Sequence, residues 1–349
     1  MMRQSGVLIG GLLGFVTAGV LAAQEARPAQ PAPDWAYGYL APLAPGDRTA
    51  PPCPPGTKGF PDCAYVGAPV PDDGIKRSLP GTPLQFTRNE VFFDFGPADW
   101  YPGDHPPMPE VVAKGKQADG SRACALCHYP NGHGKMENGH VAGLPAAYIL
   151  AQLNAFKTGA RKSADPRKAN TNEMAAIARS LTDAEAKAAA DYFAAIPFKP
   201  WTRVVEAENA PAVRQTTNGL FMPVANGAPI PLNGRIIEMP EDGERTDVTR
   251  DPRSGFVAYA PIGSIAKGEA LATTGGAGKT TRCTLCHGPE LKGAGNVPAI
   301  AGRTASYTMR QLWDIKQGTR KSQLMAPVVA KLELDELTAL SAYVASRMP

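Results

Sequence analysis

The stretch Arg122-Ala-Cys124-Ala-Leu-Cys127-His128 decides how this chain is read, because it returns as Arg282-Cys283-Thr-Leu-Cys286-His287. Both contain CxxCH. Two thiols three positions apart share one turn, where each can add to a vinyl group of a haem while the adjacent imidazole reaches the iron from the proximal side. On that chemistry the chain carries two covalently bound haem c groups. Cys124 and Cys127 attach one and Cys283 and Cys286 the other, with His128 and His287 as axial ligands. A zinc half-site or a redox dithiol uses the same residue types, so one motif alone does not separate the three readings.

The repeat extends well beyond the motif. From Cys124 and Cys283 an offset of 159 residues holds without a gap as far as Ser163 and Ser322. Along it Ala142-Gly143 matches Ala301-Gly302, Tyr148 matches Tyr307, Gln152-Leu153 matches Gln311-Leu312, and Lys157 matches Lys316. Gly159 then matches Gly318, and Arg161-Lys162-Ser163 matches Arg320-Lys321-Ser322. Two copies of one small domain explain this pattern. The second axial ligands follow from the same alignment. An eight-residue insertion in the first copy sets Met174-Ala175 against Met325-Ala326, each methionine seven residues before a leucine, Leu181 and Leu332. Met136 falls opposite Gly295 and Met309 opposite Leu150, so neither is shared. Thioether ligation at Met174 and Met325 makes six-coordinate, low-spin iron with a raised potential; the competing reading is core packing. His133 and His140 are rival ligands for the first iron only. They fall opposite Lys292 and Ala299, and are expected, like His105, to be surface or loop histidines.

Proline, at 35 residues, and glycine, at 36, point to short helices and much irregular chain. A net charge of +4 with no long Lys/Arg run excludes a nucleic-acid partner. The amino terminus, with Arg3, an apolar run from Val7 to Leu21 and small residues at Ala22-Ala23, has the layout of a cleaved secretory signal over residues 1–23. An uncleaved membrane anchor facing the periplasm is the alternative.

Residues 24–104 read as a Pro-rich extension, whose rings, Trp35, Tyr37, Phe86 and Trp100 among them, suit packing on the first haem domain. Cys53 and Cys63 within it suit a disulfide closing a small loop, or a thiolate ligand to a haem or metal. The first haem domain spans 105–200 and the second 261–349. In each, a short helix closed by glycine, Gly115 or Gly268, leads to the CxxCH. Pro145 suits a first helical position and Gly159 a helix stop, while Thr182 with Glu185 forms a capping-box pattern before the last helix. Residues 201–260 form a connector, with room for a short hairpin between Leu220 and Met239 and an exposed charged run from Glu241 to Arg253. No strand period emerges, so the fold class is all-α: two tandem haem domains plus the irregular extension. Gly275-Gly276-Ala277-Gly278-Lys279-Thr280 ends like a phosphate loop, but Thr273 stands where its first glycine belongs. Arg161 and Arg320 suit either haem propionates or a solvated turn at a helix end, and Tyr148 and Tyr307 either core packing or a propionate hydrogen bond.

These residues resemble the class I cytochromes c, and in particular the two-domain dihaem cytochromes, over about 105–200 and 260–349. The resemblance rests on the two CxxCH motifs, the two methionines, and the shared segment from Tyr148 to Arg161 and from Tyr307 to Arg320. It implies a cytochrome c fold in each copy, periplasmic maturation, His128 with Met174 on one iron and His287 with Met325 on the other. The function it implies is single-electron transfer between redox protein partners, as a carrier or as a subunit of a membrane respiratory or dehydrogenase complex. The alternative is a dihaem enzyme of peroxidase or thiosulfate dehydrogenase type with one displaceable ligand.

Overall fold

The structure, a computed structural model, describes residues 32–41, 72–216 and 219–349. The expected signal segment and the Cys53 and Cys63 pair lie outside the described residues. The first copy is preceded by a small ribbon, β1 (Arg77–Ser78) with β2 (Gln85–Phe86), and by α1 (Arg88–Val91). It then runs α2 (Glu110–Ala113), α3 (Cys124–His128), α4 (Ala146–Lys157), α5 (Ala169–Ser180) and α6 (Asp183–Ala195). Helix α2 stops because Gly115 takes φ +64°, where a Cβ would come within 2.4 Å of the Arg122 backbone. Pro145 is the residue just before α4, and α6 opens with the expected capping box: Thr182 N–H donates to Glu185 Oε2 at 2.7 Å. Val112, Ala125, Ile149, Ala190 and Phe193 bring α2, α3, α4 and α6 onto one apolar core.

Residues 201–260 correct the all-α expectation. They form β3 (Thr202–Glu206), β4 (Asn209–Ala210), β5 (Val213–Gln215), β6 (Phe221–Pro223), β7 (Ile230–Pro231), β8 (Ile237–Pro240), α7 (Gly243–Asp247) and β9 (Phe256–Ala260). In the three-stranded sheet β9 is central, parallel to β3 and antiparallel to β8. The expected hairpin is replaced by separate ribbons, β5 with β6 and β4 with β7. Strands of two to five residues are too short to show an alternation, and β9 is nearly continuously buried. The run from Glu241 to Arg253 is not simply exposed either: Thr249, Arg250 and Asp251 are buried, and Arg245 pairs with Asp251.

The second copy follows as α8 (Ser264–Thr274), α9 (Thr284–His287), α10 (Ala305–Lys316), α11 (Ala326–Val329) and α12 (Leu334–Ser346). Gly268 is no helix stop. It lies inside α8, where a Cβ would stand 2.2 Å from Ala339 O and 2.6 Å from Tyr343 Cβ, so its missing side chain lets α8 lie directly on α12. The described parts of the extension also divide between the copies. Tyr37 Oη donates to Asp314 Oδ1 at 2.6 Å and Arg310 Nη1 to Ala36 O at 2.6 Å, which fastens the 3-10 turn Asp34–Tyr37 to α10 of the second copy. Further along, Ala123 N–H donates to Asp94 O at 2.9 Å, which places that part beside the first CxxCH.

The two copies meet across a reciprocal seam. Gly159 and Gly318, each at φ +74°, turn the chain after α4 and α10. Arg161 and Arg320 then form an antiparallel bridge. Lys162 N–H donates to Thr319 O at 2.9 Å and Lys321 N–H to Ala160 O at 2.8 Å, two bonds that exchange under the 159-residue offset. The guanidiniums repeat the exchange. Arg161 Nη1 donates to Gln152 Oε1 (2.8 Å) and Nη2 to Tyr307 Oη (2.8 Å) and Gln311 Oε1 (2.7 Å). Arg320 Nη1 donates to Gln311 Oε1 (2.9 Å) and Nη2 to Tyr148 Oη (2.8 Å) and Gln152 Oε1 (3.0 Å). The solvated-turn reading of these arginines therefore fails, since Arg161 is buried and both planar forks are filled.

Two outcomes follow for stability. Gly268→Ala ought to stabilise a helix interior by propensity, yet overpacking against Ala339 costs about 1–3 kcal/mol, so urea denaturation will show a net loss. Arg161→Ala and Arg320→Ala each cost about 1–3 kcal/mol by leaving the glutamine and tyrosine partners unmatched. Because they share Gln152 and Gln311, the double variant will depart from additivity by about 1–2 kcal/mol in a double-mutant cycle.

Candidate functional site

Each CxxCH is held on a single helical turn. In the first copy α3 begins at Cys124; in the second Cys283 caps α9, and His287 N–H closes the turn on Cys283 O at 2.9 Å. The imidazoles are oriented identically. His128 Nδ1 lies 2.8 Å from Gly139 O and His287 Nδ1 lies 2.9 Å from Pro298 O, and Gly139 and Pro298 are equivalent under the repeat. A carbonyl only accepts, so Nδ1 carries the proton in both rings and the Nε2 lone pair is left for a metal. Burial lowers the pKa of both histidines, against the opposing effect of those carbonyl bonds, which keeps them in the neutral, ligating form.

The first motif opens on a cavity with about 1300 Å³ of atom-free space, its mouth included. Cys124, Cys127 and His128 line it together with Met174 from the middle of α5, and Leu144, Ile149, Ile177 and Phe193 supply apolar wall. Tyr307 and Gln311 of the second copy also line it. Burial pushes both thiols up to about 12. A structural zinc site takes four ligands, and among the described residues no group of three or more His, Cys, Asp or Glu is placed to hold a metal ion. An apolar slot, two thiols on one turn and a neutral imidazole with free Nε2 fit a covalently attached haem.

In the second copy Cys283 is half-buried, with its thiol raised to about 11 by burial, Cys286 is exposed and His287 is buried. Met325 stands half-buried just before α11, where its N–H donates to Ser322 Oγ at 3.2 Å. Thr280 Oγ1 donates to Val328 O at 2.5 Å and ties the loop before Cys283 to the helix after Met325.

Two histidines depart from expectation. His133 and His140 are buried, not superficial, with ring centroids 5.2 Å apart and Trp201 against both. Desolvation, with Arg303 nearby, lowers His133 to about 3, so its ring stays neutral. Two arginines of the second copy carry no motif yet build the boundary of the first site. Arg303 donates to His140 O (3.1 Å) and Ala142 O (3.0 Å), and Arg310 to Met136 O (3.0 Å) and Glu137 O (3.1 Å). Their repeat partners are Leu144 and Ala151, and that departure at apolar positions was the available signal.

Residues 112–196 match the sequence profile of the cytochrome c family. The chain is 26% identical over 243 residues to the thiosulfate dehydrogenase electron acceptor of Stutzerimonas stutzeri (strain A1501), covering 68% of this chain and 84% of that protein. It is 31% identical over 135 residues to cytochrome c4 of Stutzerimonas stutzeri, covering 34% of this chain and 63% of that one. Among solved structures, the thiosulfate dehydrogenase of Marichromatium purpuratum in its as-isolated form is similar at a TM-score of 0.44 and 27% identity, over 68% of this chain and 39% of that chain. The first copy thus matches the cytochrome c family over residues 112–196, and the second carries the same CxxCH turn with the same imidazole orientation.

Proposed function

We propose that the chain is a periplasmic dihaem electron carrier. Cys124 and Cys127 hold one haem c and Cys283 and Cys286 the other, with axial pairs His128 and Met174 and His287 and Met325. The domains assigned are 105–200 and 261–349, behind an export signal over 1–23. Bound there, each haem supplies a one-electron couple whose potential is raised by thioether ligation. The chain's own residues orient the imidazoles through Gly139 and Pro298, keep water from the first site with Ile149, Ile177 and Phe193, and place buried positive charge from Arg161 and Arg320 between the sites. The observation that carries this reading is that Tyr307 and Gln311 of the second copy wall the first copy's cavity, which leaves little protein between the two sites. Likeness to thiosulfate dehydrogenase electron acceptors supports a dehydrogenase as the electron donor. Among the described residues no helix is long and apolar enough to cross a membrane.

A pyridine haemochrome assay on the purified protein will give two c-type haems per chain. The far-red ferric band of Fe–S(Met) bonding will fall to about half in Met174→Ala and in Met325→Ala and vanish in the double variant. A band unchanged in either single variant would remove that methionine from the iron.

A further inference from the structure

The repeat allows the two haem rims to be compared position by position, and they are unlike. Leu126, between the cysteines of the first motif, is 6% exposed; its equivalent Leu285 is 61% exposed. Glu173, before the first methionine, is 8% exposed; its equivalent Leu324 is 85% exposed. The chain itself covers the first rim. The Arg250 guanidinium donates to Leu126 O and lies over the rings of Phe92 and Tyr129, 5.1 and 5.0 Å from their centroids. Asp94 O accepts from Ala123 N–H at 2.9 Å, Arg122 joins Asp94 (3.2 Å) to Glu173 (2.9 Å), and Asn131 Nδ2 reaches Pro252 O at 3.3 Å. Extension and connector thus seal the first rim with matched polar groups.

Among the described residues, neither segment reaches the equivalent place in the second copy. There Leu285 and Leu324 stand in the open on the two segments that the bond from Thr280 to Val328 joins, and Cys286 is exposed between the leucine and His287. Single exposed leucines are ordinary; two at equivalent points of a rim that is closed in the sister copy are not. The flanking charges are of one sign. Arg282 and Lys321, each three residues before a leucine, are exposed, while Lys292 is neutralised by Glu290 at 3.3 Å.

We propose that the chain meets its redox partner through the face around Leu285 and Leu324 of the second copy, and that this partner is a small redox protein presenting carboxylates around an apolar centre. The first site then exchanges electrons with the outside only by way of the second. An apolar centre with a cationic rim is the complement of such a face, since rim charge steers encounter and the apolar contact holds it. This rests on the carrier reading above.

The test uses the full-length holoprotein and flavodoxin, an acidic redox protein, as probe. Isothermal titration of oxidised flavodoxin into the oxidised holoprotein at low ionic strength gives a Kd. Arg282→Glu/Lys321→Glu is expected to weaken it about tenfold, whereas Lys114→Glu/Lys157→Glu, the same charge change on exposed positions of the first copy, weakens it by less than about threefold. No binding by the unaltered protein, or a loss in the second-copy variant no larger than about three times that of the control, overturns the proposal. Reduction of both haems by lumiflavin semiquinone, which requires no docking, reports the carrier reading and the integrity of each variant separately.

Discussion

Two guanidiniums buried face to face set the terms for the rest of this structure. Arg161 and Arg320 carry like charge, lie on adjoining antiparallel segments and are removed from water, which is costly for each ion on its own. What makes the arrangement stable is the fork geometry of arginine, which lets each one donate both to a glutamine of its own copy and to a tyrosine and glutamine of the other. Burial acts to raise the Tyr307 phenol, but the arginines outweigh it and its pKa is lowered overall. Neither copy satisfies its own arginine alone. The seam therefore specifies one mutual orientation, and with it the placing of Tyr307 and Gln311 in the wall of the first copy's cavity.

Around this symmetric centre the surroundings are asymmetric. The connector strand β8 sends Glu238, fully buried, to the start of α10, where Ser306 N–H donates to its carboxylate at 2.9 Å; burial raises its pKa despite that bond. Helix α10 is thus gripped at its first turn by the connector and further along by Tyr37 and Ala36 of the extension. Arg250, at φ +49°, adopts a conformation that side chains seldom take, and its contacts with Leu126, Phe92 and Tyr129 are what hold it there. One repeat unit has accordingly become the enclosed site and its sister the open one.

The CxxCH turns and the duplicated helices were legible because they are local or fixed by register, and the same register singles out Met174 and Met325 as the proposed ligands. A CxxCH lies within one turn, and a gap-free offset aligns the copies without knowledge of the fold. The seam was half legible: the recurrence of Tyr148, Gln152 and Arg161 was plain, but their partners belong to the other copy, and spacing does not say which copy an arginine reaches. Gly268 misled because glycine marks helix ends more often than helix crossings, and only the approach of Ala339 distinguishes the two. His133 and His140 owe their burial to Trp201 and Phe198, about sixty residues downstream, which no local pattern reveals. The connector strands failed the same way, since β3 finds its partner β9 more than fifty residues later.

The central claim is that the seam joins two haem sites of one kind, each with a histidine and a methionine on the iron. Near-infrared magnetic circular dichroism of the fully oxidised protein reads axial ligation directly. The account predicts two low-spin ferric haems per chain, both with the charge-transfer band of histidine and methionine ligation. A spectrum in which either haem is high-spin, bis-histidine or thiolate-ligated would contradict it.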